Sequence, residues 1–311
     1  MLRWSLADGV LDIMDARGAR LHRFDQLAFV ADGQIRCADS SGIAAGTSAT
    51  LNAQTGLSAF RRGRILEVRQ RPGAGRRRNL VVIRANERSL HSQWRDVSEA
   101  VQRNWDLCVS FYGEPTEFGR DAEAEYQIRQ VANLKYHALT DLFCDDSPFW
   151  NYDIVAFPDD DLVTTWSDIN LMFEYSRRYN LLVAQPALSG FVTHPITRQN
   201  PDYILRFTSF IEPIAPWFSR EALKVCVSTF AGTLTGYGLD HVWPKLFGEP
   251  QHRFAVIDDV VVEHTRPVAQ SYDMEGALAE GWRFQMQYGA FPKEVEYGGI
   301  YRVPVDRYQK W

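Results

Sequence analysis

Three consecutive aspartates, Asp159-Asp160-Asp161, follow the apolar run Tyr152-Asp153-Ile154-Val155-Ala156-Phe157 and Pro158. Side chains two apart on an extended backbone share a face, so Asp159 and Asp161 can be aimed into one site while Asp160 points elsewhere. Two carboxylates on one side are hard oxygen donors for a divalent cation, which then bridges the phosphate oxygens of a ligand. Taken alone, the triplet reads equally well as a solvated turn that caps the next helix. Two later stretches shift that balance. Gly236-Tyr237-Gly238-Leu239-Asp240 is a glycine-flexible loop that ends on an acid at a helix start, where Asp is also a good cap. Val260-Val261-Val262-Glu263-His264-Thr265-Arg266 puts an imidazole directly after an apolar strand, a position that core packing also explains.

The elements that must position these groups show in the apolar periodicity. Leu80-Val81-Val82-Ile83 is a continuous apolar run, as expected of a strand buried on both faces. A helix is expected over 89–104, a strand over 107–112, and helix for much of 122–143. The triplet then follows a third strand, 152–157. Ile169, Met172, Phe173 and Ser176 recur at helical spacing, and Leu181-Leu182-Val183-Ala184 reads as a fourth strand. Ser219 is placed to cap a helix over 220–230, and a further helix is expected over 239–247. Strands alternating with helices imply an α/β fold, a mostly parallel Rossmann-like sheet flanked by helices. In such sheets ligands bind outside the carboxyl ends of the strands, which is where the triplet falls and where Arg84 and Asn86 follow the first strand as nucleotide-binding candidates.

Residues 1–70 differ, with short apolar runs between Gly, Ser and Asp turn signals, and read as a small β-rich accessory domain. The stretch 71–78, with Pro72, Gly73, Gly75 and three successive arginines, reads as a linker, leaving 79–311 as the main domain. With 311 residues and 45% hydrophobic content the chain can bury a sizeable core, which excludes a disordered or fibrous protein. A net charge of −5 gives no global reason to expect nucleic acid as a partner. The four cysteines, Cys37, Cys108, Cys144 and Cys226, lie too far apart for a zinc or redox pair and read as reduced. Charged residues interrupt the first twenty positions, and no apolar stretch approaches membrane-spanning length, so a cytoplasmic protein without a transmembrane segment is expected.

The order of an Asp pair at a strand end, a glycine loop with an acid, and a late His resembles GT-A glycosyltransferases. The run 79–267 is similar, more narrowly, to the domain-of-unknown-function 707 family. The segments that carry this likeness include Leu134-Lys135-Tyr136, Asp159-Asp160-Asp161-Leu162, Gln185-Pro186-Ala187, Phe210-Ile211-Glu212-Pro213-Ile214-Ala215-Pro216-Trp217-Phe218, Gly236-Tyr237-Gly238-Leu239-Asp240 and Val262-Glu263-His264. Residues 1–70 fall outside it.

The resemblance implies a GT-A fold and transfer of a sugar from a nucleotide-sugar donor to a glycan, lipid-linked or other hydroxyl acceptor. That activity suits polysaccharide or glycolipid assembly and peripheral membrane association. It implies Asp159, Asp161 and His264 as ligands of a divalent cation, Mn²⁺ before Mg²⁺ because imidazole favours it. It implies Asp240 as the base of an inverting reaction. Arg84, Asn86, Lys135, Asp159 and Asp160 become the candidates for the nucleotide-sugar, and Glu212, Trp217 and Gly238 for contact with acceptor or sugar. Two other readings stand beside it. The triplet after a strand also resembles the first motif of haloacid-dehalogenase-like phosphatases, in which the first Asp is a nucleophile. A GT-A-like domain that binds a nucleotide or glycan without transferring anything is the non-enzymatic alternative.

Overall fold

The computed structural model describes residues 64–302, apart from 72–75, 97–99, 132–133, 145 and 268–272, together with the backbone of six N-terminal strands. The chain divides into two compact units, Met1–Arg61 and Arg62–Trp311. The first unit holds β1 (Arg3–Ala7), β2 (Val10–Met14), β3 (Arg20–Phe24), β4 (Gln26–Val30), β5 (Gln34–Ala38) and β6 (Ala49–Asn52). They form two antiparallel sheets, β1-β2-β3 and β4-β5-β6.

The second unit is built on strands β7 (Arg64–Gln70), β8 (Asn79–Ala85), β9 (Trp105–Phe111), β10 (Tyr126–Val131), β11 (Ile154–Ala156) and β12 (Leu162–Val163). To these it adds β13 (Val183–Gly190), β14 (Tyr203–Thr208), β15 (Trp217–Ser219), β16 (Phe254–His264) and β17 (Glu296–Tyr301). Its helices are α1 (Lys135–Leu142), α2 (Trp166–Arg178), α3 (Arg220–Cys226), α4 (Leu239–Leu246) and α5 (Met274–Gln287). Among the described residues no helix is long and apolar enough to cross a membrane.

One mixed sheet joins these strands in the order β17-β14-β16-β13-β15-β11-β8-β9-β10-β7, with β12 paired to β16. The expected parallel arrangement forms its centre, where β11, β8, β9 and β10 run side by side, and it recurs in the pair β13 and β16. Antiparallel β15 stands between these groups, bonded to β11 on one side and β13 on the other. The strand alternation sorts the core. From β8, Val81, Ile83 and Ala85 pack on one face with Ile169, Met172 and Phe173 of α2. Leu80 and Val82 pack on the other with Tyr136 of α1, Leu223 of α3, Trp243 of α4 and Phe284 of α5.

Four sequence expectations change. The boundary falls between Arg61 and Arg62, and Arg64–Gln70 pairs with β10 in the main sheet instead of belonging to the accessory segment. Of the expected linker, 72–75 lies outside the described residues, whereas Arg77 bridges Asp106 at 2.8 Å and Glu125 at 2.9 Å, and Arg78 pairs with Asp153 at 2.7 Å. Among its described residues the stretch after Ser89 holds one 3-10 turn, His91–Gln93, in place of the expected helix. Its polar groups are taken by the loop after the triplet: Leu90 N–H donates to the Asp160 carbonyl (2.7 Å), Trp166 N–H to the Trp94 carbonyl (2.7 Å), and Trp94 Nε1 to the Leu162 carbonyl (2.8 Å). The helix expected over 122–143 is helical only in α1, since Tyr126–Val131 is claimed as a strand by β9 and β7.

Candidate active site

The parallel strands open on one edge, and β11 delivers the aspartates there. Asp159 N–H donates to the Ile214 carbonyl at 2.8 Å, which fixes the start of the triplet. Its end is fixed by register: two-residue β12 pairs Leu162 with His264, and the Thr265 N–H and hydroxyl donate to the Asp161 carbonyl at 3.2 and 2.7 Å. That pairing brings His264 Nε2 to 3.5 Å from Asp161 Oδ2 across 103 residues of sequence, with both side chains buried. Asp160 turns away, accepting from Ser89 Oγ at 2.7 Å with Arg266 at 3.8 Å.

Asp159 is held by Lys135, whose Nζ lies 2.6 Å from Asp159 Oδ1, 2.8 Å from the Pro213 carbonyl and 3.1 Å from the Ile214 carbonyl. An ammonium has three hydrogens, and all three are spent inside the protein. Lys135 therefore positions a carboxylate and leaves no hydrogen for a diphosphate. Burial lowers the Lys135 pKa, opposed by Asp159. Burial likewise raises that of Asp159 against the pull of Lys135.

A cavity of about 420 Å³ opens beside these groups. Asp159, Asp161, His264, Lys135 and Arg266 line it, and so do Glu212, Asp240, His194 and Thr235. Asp240 stands in the first turn of α4, where its Oδ1 accepts from His241 N–H at 2.8 Å, and burial raises its pKa. Glu212 lies between β14 and β15, its N–H donating to Gln185 Oε1 at 2.6 Å. Its side chain is 5% exposed and Oε2 has no hydrogen-bond partner. Burial pushes its pKa up to about 7, with Asp240 raising it further against His194 and His264.

The structure thus brings Asp159, Asp161, His264, Lys135, Glu212 and Asp240 to one cavity. Five other expected site residues do not line it: Asp160, which turns to Ser89, and four that lie elsewhere. Arg84 is buried in the sheet, donating to Ser110 Oγ at 3.1 Å and the Gln130 carbonyl at 3.3 Å, with its guanidinium over the Tyr112 ring. Asn86 donates to the Tyr112 hydroxyl at 2.8 Å. Trp217 is a core residue of β15, because α2 covers it and its ring packs against Phe173. Gly238 serves the backbone: its φ of +91° suits glycine, and a Cβ there would meet the Gly281 carbonyl oxygen at 2.8 Å. Sequence reading passed over His194, Thr235 and Arg266, although Arg266 sits two residues after His264 in a stretch already singled out.

These residues can be tested for fit to a divalent cation. His264 Nδ1 lies 2.8 Å from the Phe191 carbonyl, which can only accept, so Nδ1 carries a hydrogen and Nε2 presents its lone pair to Asp161 when the ring is neutral. A lone pair facing a carboxylate at 3.5 Å calls for a cation between them, either a proton or a metal. Burial works against an imidazolium here, yet Asp161 and the Phe191 carbonyl outweigh it and raise the His264 pKa. Among the described residues no cluster of three or more carboxylate, imidazole or thiolate groups forms a complete cation cage. The donor set suits an ion that takes one or two protein ligands and completes its shell from ligand phosphates and water.

No family model matches the chain, and no curated protein matches it. Solved structures similar to it include the mannosyltransferase PcManGT from Pyrobaculum calidifontis in complex with GDP-Man and Mn²⁺, at 16% identity and a TM-score of 0.45 over 70% of this chain and 67% of that one. Glucosyl-3-phosphoglycerate synthase from Mycobacterium tuberculosis, in complex with Mn²⁺, UDP-Glc and phosphoglyceric acid, is similar at 16% identity and a TM-score of 0.44, over 75% of this chain and 94% of that one. Residues 1–349 of S. aureus TarS are similar at 10% identity and a TM-score of 0.41, over 68% and 72% of the two chains.

Proposed function

We propose that the chain is a metal-dependent glycosyltransferase of the GT-A type, moving a sugar from a nucleotide-sugar donor to a hydroxyl acceptor with inversion. The observation that carries this reading is the Asp161–His264 pair at the carboxyl edge of the sheet, with the His264 lone pair turned inward by Phe191, beside a cavity that also holds Asp240. Asp161 and His264 would hold the cation, with Asp159 beside them, and Mn²⁺ is the better match to a site containing imidazole. A divalent cation bound there supplies electrostatic stabilisation of the departing diphosphate.

The chain's own residues do the rest. Lys135 fixes Asp159, the register of β12 on β16 fixes Asp161, and Arg266 offers a positive group at the cavity for the anionic part of the donor. Asp240 takes the proton from the acceptor hydroxyl as it attacks the anomeric carbon. Its buried position raises its basicity toward that of an effective base. The test is a set of nucleoside diphosphate sugars scored for Mn²⁺-dependent thermal stabilisation, followed by transfer assays with whichever binds. Stabilisation lost in Asp161→Asn and His264→Ala, and transfer without stabilisation lost in Asp240→Asn, is the expected result. If every donor stabilises Asp161→Asn as well as the parent, the reading fails.

A further inference from the structure

The cavity has an acidic wall that the donor chemistry does not use. Glu212, Asp240 and His194 line it, and Glu212 Oε2 is buried there without a hydrogen-bond partner. In a native protein an orphaned buried oxygen of this kind is costly, and a turn of the carboxyl that brings it to a ligand hydroxyl in the cavity relieves the cost. The basic side chains nearby are already engaged: His194 Nδ1 lies 2.6 Å from Glu294 Oε1, and Lys135 has spent its hydrogens on Asp159 and two carbonyls. Arg266 lies beside Asp160, and its Nη2 donates to the Arg88 carbonyl at 2.9 Å.

We propose that this wall is the acceptor subsite and that it takes a neutral polyhydroxyl group, a sugar or polyol bearing adjacent hydroxyls, while turning away phosphorylated and carboxylated acceptors. The inference rests on the donor reading of the Asp161–His264 side. An anion at this wall would face Glu212 and Asp240 with its counter-charges already committed, a like-charge juxtaposition in a water-poor space. Adjacent hydroxyls suit it, since each can donate to one carboxyl oxygen and accept from a neighbour. Glu212 is then the specificity-determining residue: its unpartnered Oε2 can accept from a hydroxyl of a neutral ligand and finds no donor on an anionic group. Loss of a buried hydrogen-bonding group from a polar subsite discriminates strongly between ligands that can and cannot satisfy it.

The experiment uses the full chain with Mn²⁺ and UDP-glucose or GDP-mannose, first by melting temperature and then by transfer. Acceptors are offered in matched pairs: glycerol and glycerol 3-phosphate, methyl glucoside and glucuronate, myo-inositol and its monophosphate. The neutral member of each pair should be used with a kcat/KM about tenfold higher or more. Glu212→Ala should raise the KM for the neutral acceptor about tenfold while the donor-induced melting shift persists, and Glu212→Gln, which keeps an accepting oxygen, should recover most of that loss. A donor-induced shift accompanied by equal or better use of the anionic members, by no transfer to any of them, or by an unchanged KM in Glu212→Ala, overturns the inference while leaving the donor reading intact. Absence of any donor-induced shift overturns both.

Discussion

Lys135 shows how one side chain can matter to a site without touching its ligand. Its three bonds join α1 to Asp159 and to the carbonyls of Pro213 and Ile214, tying together three segments that are remote in sequence. Lys135→Met keeps the length of the side chain and removes the charge, leaving Asp159 without its cation. Breaking this partly exposed pair by removing one partner costs roughly 1–2 kcal/mol, and urea denaturation of the variant should show a loss of that order. Glu212 gives the opposite behaviour. Its folded-state pKa of about 7 stands above the ordinary glutamate value of 4.5, so between those pH values the unfolded chain has released a proton that the folded chain retains. Stability therefore falls as pH rises from 4.5 to 7, by roughly 3 kcal/mol from this group, and it is fully retained only below the lower value. Burial shifts Asp240 in the same direction. Glu212→Gln should flatten the pH profile of the melting temperature in that window and raise it at pH 7; an unchanged slope would refute the assignment.

At the scale of elements, α5 supports the loop that leads into Asp240 at the start of α4. Glu280 of α5 accepts from the N–H groups of Leu234 and Thr235 at 2.6 and 3.1 Å and from the Thr235 hydroxyl at 2.8 Å. Gly281 of α5 lets the backbone of Tyr237 and Gly238 approach closely. Glu280→Ala removes three charge-assisted bonds and should destabilise the protein by about 2 kcal/mol, while hydrogen exchange at Leu234 and Thr235 accelerates. Gln at the same position keeps an acceptor and should lose less. This support was not legible in the sequence, because Glu280 looks like any exposed acid of an amphipathic helix and its partners lie about 45 residues earlier. The strand that delivers the triplet was legible, since Ile154-Val155-Ala156 is apolar throughout and Pro158 ends it. Helix α2 was legible for a similar reason, its buried residues Ile169, Met172, Phe173 and Ser176 falling at helical spacing. Earlier in the chain, 89–104 misled because its Trp94 and the neighbouring Trp105 suggest an apolar helix face. Instead Trp94 anchors a loop to Leu162, and Trp105 begins β9. The long-range register of β12 on β16 left no local signal at all, and it determines the Asp161–His264 distance.

With the proposed cation and donor in the cavity, the whole molecule would turn these local arrangements into a linkage between two ligands. The protein offers a cation two inward donors, Asp161 and His264, so an ion alone should bind weakly, and a nucleotide diphosphate alone meets the acidic face of the triplet. Each ligand supplies what the other lacks, oxygen donors for the ion and positive charge for the phosphates, and such coupling is reciprocal. Mn²⁺ and a nucleoside diphosphate sugar added together should therefore raise the melting temperature of the second unit by more than the sum of their separate shifts. At a hundred times the dissociation constant of the joint complex the gain is about 2.7 kcal/mol, or roughly 5–10 °C for a unit of this size. A chelator should return the shift to that of the sugar nucleotide alone, and Asp161→Asn should abolish the excess without lowering the melting temperature of the ligand-free protein by more than a few degrees. Additive shifts, in which neither ligand's effect depends on the other, would mean that the cavity binds them at separate places and that the Asp161–His264 pair is closed by a proton.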